Sequence, residues 1–170
     1  MRYNFEWDPV KAKQNRRKHR ISFERAAELF LDPLAVSEIE EEHGEAEERW
    51  VTIGRDSHGK LLVVVHTFLE VAAQECKVRI ISARNATKCE TREHEATQLM
   101  KKEYDFPKGV RGKFYRPNAE LNIPVYLDPD VAKVVRARAE KTDESFGVVV
   151  NDWLRQDIRF GGPARRLKVR

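Results

Sequence analysis

The chain has 170 residues, 41% of them apolar, and carries 32 Lys and Arg against 28 Asp and Glu for a formal charge of +4. That suits one soluble domain or two small ones, and the longest wholly apolar run, Leu61–Val65, is far too short to span a membrane. The opening Met1-Arg2-Tyr3-Asn4-Phe5-Glu6 has no signal-peptide core, and Cys76 and Cys89 form neither a disulfide framework nor a CxxC zinc pattern, so a cytoplasmic protein with no metal and no cofactor is expected.

Arg2–Trp7 reads as a short strand, and Asp8-Pro9 as a helix start, because Asp can cap free N–H groups and Pro fits the first helical position. The helix Pro9–His19 is strongly basic, with Lys11, Lys13, Arg16, Arg17 and Lys18. Ser22 caps a second helix, in which Phe23, Ala26, Ala27 and Phe30 recur at helical spacing until Asp32-Pro33 stops it. Leu34–Ile39 is a candidate strand. The hydrophilic stretch Glu38–Glu48 holds seven glutamates and reads as a solvated loop. Trp50–Arg55 and Leu61–Phe68 flank the hairpin turn Asp56-Ser57-His58-Gly59, and Lys77–Ala83 is a further strand. Leu61–Val65 is apolar on both faces and belongs in the centre of a sheet. His66, inside that apolar strand, reads as packed. Asn85 or Thr87 caps a polar helix running to about Lys102.

From there the pattern changes. Residues 1–99 carry a net charge of −2 and residues 100–170 a net charge of +6, an asymmetry expected where one part meets nucleic acid. Lys101–Asn118 mixes basic residues with Tyr104, Phe106, Phe114, Tyr115, Gly and Pro without a period, and reads as an arm or linker. Leu121, Ile123, Val125 and Leu127 then alternate with Asn122, Pro124 and Tyr126, giving a strand with one buried face. Pro124 limits it to pairing on one side. Helices are predicted from Pro129 to about Lys141 and from about Gly147 to Phe160, and Ala164–Arg170 forms a basic tail. One strand and two short helices cannot bury a core, so this unit is expected to find one in a second copy or in the first half.

Strand, helix, helix in about forty residues resembles the ribbon-helix-helix DNA-binding unit of the MetJ/Arc/CopG kind. The resemblance implies a homodimer whose paired strands enter operator DNA, with Asn122, Tyr126 and Glu120 facing the bases and Ser145–Gly147 meeting a phosphate. The first half resembles another family. Phe5-Glu6-Trp7-Asp8-Pro9-Val10-Lys11, Asn15, Lys18-His19, Ser22-Phe23, Ile53-Gly54-Arg55 and Arg79-Ile80-Ile81-Ser82-Ala83-Arg84-Asn85-Ala86-Thr87 stand in the order and spacing of BrnT toxins, over nearly all of residues 1–95. BrnT toxins are small RelE-like ribonucleases paired with an antitoxin, BrnA, that carries a ribbon-helix-helix domain. Met100-Lys101-Lys102 through Arg116-Pro117 looks like the start of such an antitoxin, which makes Met100 a start site read through. Two positions depart from the toxin pattern: Arg20 stands where Gly is usual, and Thr91 and His94 stand where the last helix usually has Arg and Tyr.

The resemblance implies an α+β protein: a RelE-like antiparallel sheet with flanking helices in residues 1–99, an arm over 100–118, a ribbon-helix-helix unit over 119–160 and a tail over 161–170. It implies a type II toxin-antitoxin fusion, self-neutralised and autoregulatory on DNA. RNA cleavage without a metal needs a base for the 2′-OH, cations for the charge on phosphorus oxygens, and an acid for the leaving oxygen. Lys18, His19, Arg55, Arg84 and His94 are the candidate catalytic residues, with Arg55 and Arg84 on the phosphate and His19 or His94 as acid or base. Trp7, Lys11 and Arg79 are candidate RNA-binding residues, Trp7 by stacking on a base, although a place in the core suits it equally. Glu90 is a candidate partner for a neighbouring arginine. The rival reading is a DNA-binding repressor with a degenerate toxin domain, and a third is a dimeric interaction protein with neither activity.

Overall fold

The computed structural model describes residues 1–40, 47–99 and 109–160, with residues 96–99 described by backbone alone. It divides into two compact units, Met1–Pro124 and Val125–Arg170. The first contains a mixed sheet built from β1 (Arg2–Glu6), β2 (Val36–Ile39), β3 (Trp50–Arg55), β4 (Leu61–Ala72), β5 (Glu75–Asn85), β6 (Val110–Arg111) and β7 (Glu120–Asn122). The order is β6-β2-β3-β4-β5-β1-β7; β1 runs parallel to both β5 and β7, and the other neighbours are antiparallel. The apolar run Leu61–Val65 occupies the central strand, as its two-sided hydrophobicity requires.

Helices α1 (Pro9–His19) and α2 (Phe23–Ala27) follow β1, and a 3₁₀ turn, Glu28–Leu31, follows α2. The Asp8 carboxylate accepts from the Val10 and Lys11 amides at 2.7 and 3.1 Å, and Pro9 opens the helix. Asn15 is the buried residue of α1. β1 pairs with β5 only as far as Arg79, so the outer backbone edge of β5 needs another partner beyond that point. Asn15 supplies it: its Nδ2 donates to the Ala83 carbonyl at 2.8 Å and its Oδ1 accepts from the Ala83 amide at 3.1 Å. Tyr3, Phe5, Phe23, Phe30, Leu62, Val64 and Val78 form the core beneath these helices. Gly54 is needed where β3 meets the turn after α2, because a Cβ there would stand 2.9 Å from that of Ala35.

The stretch expected to be a linker belongs, in its described part, to this unit. β6 pairs with β2, Gly112 turns at φ +61° with its amide on the Ala35 carbonyl at 2.7 Å, and Phe114 is buried. The Phe114 ring lies 4.4 Å from Phe68, 5.0 Å from His66 and 5.3 Å from Trp50, centroid to centroid. Tyr3 donates its hydroxyl proton to the Phe114 carbonyl. The chain then reaches the opposite sheet edge, where β7 pairs with β1 and Leu121 and Ile123 pack on the core.

The first compact unit runs on past residue 99 to Pro124, and the strand expected over 121–127 is shorter. That strand spans Glu120–Asn122 and finds its partner in β1 of its own chain, whose open edge offers the hydrogen bonds a second copy was expected to give. It is an edge strand, and it ends two residues before Pro124. In the second unit, α4 (Pro129–Thr142) and α5 (Phe146–Phe160) pack on each other. Val135 and Val149 are its only buried side chains among the described residues, and Val134, Leu154, Ile158 and Phe160 are exposed. Met100, the arm to residue 108, the tail from 161 and residues 41–46 of the acidic loop lie outside the described residues.

Candidate functional site

Successive side chains of a strand point to opposite faces. Thr52, Leu62, Val64 and Ala83 face the core, whereas Val51, Ile53, Arg55, Val63 and Arg84 face the other way. Over that second face lies α3 (Lys88–Leu99). Val51, Ile53 and Val63 from the sheet and Glu90, Glu93 and His94 from the helix line a cavity of about 170 Å³.

The local sequence fixes α3 at its start through a capping box, Thr87-x-x-Glu90. The Glu90 carboxylate accepts from the Thr87 amide at 2.7 Å, and the Glu90 amide donates to the Thr87 hydroxyl at 3.3 Å. The same carboxylate takes both terminal nitrogens of Arg84, at 2.8 and 2.7 Å. The guanidinium, reinforced by Thr87, overcomes burial and holds the Glu90 carboxyl down at about 2, while the pair raises Arg84 above its ordinary value. Arg55 is closed in the same way. It donates to the Gly59 carbonyl at 2.8 Å and pairs with Glu95 of α3 at 3.3 Å. On the same face Arg79 pairs with Glu47, and Lys77 with Glu6 at 2.8 Å.

Of the residues singled out from the sequence, Arg55, Arg79 and Arg84 thus share one sheet face, and His94 is buried under α3 above it. Burial pushes the His94 imidazole below its ordinary value, against the opposing charge of Asp32. That shift favours the neutral imidazole, whose unprotonated ring nitrogen can accept a proton. Lys11, Lys18 and His19 lie on α1, which packs on the opposite face; the two lysines are exposed and His19 is half-buried. Trp7 is buried, edge-on to Phe23 at 5.9 Å, so it belongs to the core and offers no base platform. His66 is fully buried, hydrogen-bonded to Thr52 at 2.8 Å and driven down to about 4 by burial. The sequence reading missed Glu47 and Glu95; charge alone, in so acidic a loop and so polar a helix, does not single them out.

Asn122 sits on β7 with its amide on Asn4 at 2.7 Å, and Glu120 pairs with Arg2 at 3.8 Å. Tyr126 is half-exposed. Ser145 caps α5, with its carbonyl accepting the Val149 amide at 3.2 Å. No group of three or more His, Cys, Asp or Glu that could hold a metal occurs among the described residues, nor any helix long and apolar enough to cross a membrane.

Residues 7–90 match the family described as ribonuclease toxin, BrnT, of type II toxin-antitoxin systems. They form a BrnT-family toxin domain. A solved structure, the ribonuclease toxin BrnT of Brucella abortus, is 22% identical, covers 51% of this chain and 99% of its own, and superposes with a TM-score of 0.37. No curated protein matches. The BrnT domain lies within the first compact unit, and β1, β6 and β7 extend its sheet outside the matched residues. Arg20, where the pattern usually has Gly, adopts φ +58°. That is the left-handed conformation that favours glycine.

Proposed function

We propose that this chain is a type II toxin-antitoxin protein in which a metal-independent, RNA-cleaving BrnT domain is continuous with a ribbon-helix-helix antitoxin and is masked in its own chain. The observation that carries the reading is the pairing of Arg55 and Arg84 with two carboxylates of one helix, α3. A carboxylate presents two oxygens to a guanidinium much as a phosphate does, so Glu90 and Glu95 stand where RNA phosphates would. With α3 in place the cations are neutralised and His94 is covered. With the two pairs broken, Arg55 and Arg84 take the scissile phosphate and stabilise charge on its oxygens. His94, which lines the cavity on this face, accepts the 2′-OH proton and as the imidazolium so formed returns it to the leaving 5′-oxygen, because His19 lies across the sheet. Homodimerisation through α4 and α5, operator binding and a cytoplasmic setting complete the proposal. The exposed apolar side chains of α4 and α5 support the first of these.

The test is RNA cleavage by the full chain. Glu90→Gln with Glu95→Gln removes both charges, and Gln keeps the capping box. Cleavage is expected to rise at least tenfold over the unaltered chain and to vanish when Arg84→Ala is added. An unmasked chain that leaves RNA intact would hand the case to the rival, a DNA-binding repressor with a degenerate toxin domain. That rival has an observation of its own in the buried His94 at the usual tyrosine position. A mobility shift on the DNA upstream of the coding sequence, with Tyr126→Ala as control, tests the DNA arm.

A further inference from the structure

The two faces of the first unit treat their cations differently. Across from α1, Arg55, Lys77, Arg79 and Arg84 each meet a carboxylate. On and just after α1, Lys11, Lys13, Arg16, Arg17, Lys18 and Arg20 are all exposed, and among the described residues none closes an ion pair. Ala12, Asn15 and His19 form the half-buried or buried stripe of this helix at spacings of three and four. The cations occupy the rest of its circumference over a length of roughly 16 Å. The helix dipole favours those in the last turn but offers nothing to Lys11 and Lys13. Lys13 and Arg17 are like charges four apart, which a helix disfavours. A ridge that carries this repulsion without internal partners is built for an external polyanion.

The composition of the ridge narrows the partner. An acidic protein surface is normally anchored by buried apolar or aromatic side chains, and the large apolar residue α1 exposes is Val10 alone, at its first turn. A nucleic-acid strand needs no such anchor, because its affinity comes from phosphate neutralisation and counterion release.

We propose that α1 is a docking ridge for the phosphate backbone of a nucleic-acid strand, open while the Arg55–Arg84 face is closed. RNA and DNA share this chemistry, and the ridge does not depend on the nuclease reading. Its test is binding, by fluorescence anisotropy, of the full chain to a 20-nucleotide 2′-O-methyl RNA, which cannot be cleaved through its 2′ oxygen, and to the same sequence as single-stranded DNA, across a salt series. Lys13→Gln with Arg16→Gln and Arg17→Gln removes three charges with a good helix former. It is expected to weaken binding at least tenfold at low salt and to lower the slope of log affinity on log salt by about 2. Arg2→Gln with Lys60→Gln and Lys88→Gln, three exposed cations away from α1, removes the same net charge and is expected to change affinity less than threefold. The arm that responds, RNA, DNA or both, assigns the strand. Equal losses from the two triple variants, or none from the α1 variant while its helix content is unchanged, would overturn the ridge. So would a loss of low-salt self-association with nucleic-acid binding intact, which would make the partner the acidic loop of a second copy.

Discussion

The two faces of the sheet are closed by different forces. One is sealed by aromatic rings packed edge to face or tilted, with Tyr3, Phe5, Phe30 and Phe114 among them. The other is closed by a polar helix held through Arg–Glu pairs over a cavity. Burial of rings is large and insensitive to salt. Ion pairs at half-exposed positions are weak and screened. The same sheet therefore has one face that defines the fold and one that can open, and the candidate chemistry sits on the face that can open.

The sharpest way to break this contrast is to loosen the rigid face. Phe114→Ala is expected to cost about 3–5 kcal/mol, read as a lower urea midpoint for the first unit. For the same reason a chain ending at residue 99 should lose cooperative unfolding, while one ending at Pro124 keeps it. A chain ending at 99 that unfolds like the longer one would mean that the segment from 109 to 124 merely rests on the core.

His66 is next. Its folded value, about 4, lies below the ordinary 6.5, so its contribution is complete above 6.5 and is lost as pH falls from there through 4, by roughly 3 kcal/mol. The urea midpoint should fall over that window in the unaltered chain, and His66→Gln should remove that part of the fall. On the other face Glu90→Ala should cost about 1–2 kcal/mol, the worth of a cap plus an arginine left unpaired. The loss should appear as faster amide exchange in α3 with little change in β4 and β5. Glu90 should also matter only above its folded value of about 2, its contribution fading as pH drops from about 4.5 toward that value.

Much of the opening face was legible, because strands and caps are local. The turn Asp56–Gly59 between two strand-like segments located β3 and β4, Asp8-Pro9 and a cap at Asn85 or Thr87 marked helix starts, and the register of the structure put Arg55 and Arg84 on one side. Non-local choices were not legible. Phe114 lies in a stretch without a period, and only the pairing of β6 with β2 and of β7 with β1 carries it to the core. Trp7 suited either a core or a base platform, and its burial was decided by Phe23, sixteen positions away. The strand at Glu120–Asn122 was recognised as needing a partner, but sequence cannot say whether an open edge is offered by its own chain or by another.

The smallest expected effect joins stability and charge in one residue. Arg20 ends α1 in the left-handed conformation, its amide donating to the Arg16 carbonyl at 3.0 Å. A side chain costs about 1–2 kcal/mol there, partly offset by the greater freedom that glycine loses on folding. Arg20→Gly should therefore raise stability by up to about 1 kcal/mol, a small upward shift of the thermal midpoint. The same change deletes one cation of the α1 ridge and should flatten the salt dependence of nucleic-acid binding by about 0.7. A chain that becomes more stable while it binds less steeply is what a strained residue kept for its charge requires. More stability with unchanged binding would leave Arg20 strained but outside the ridge.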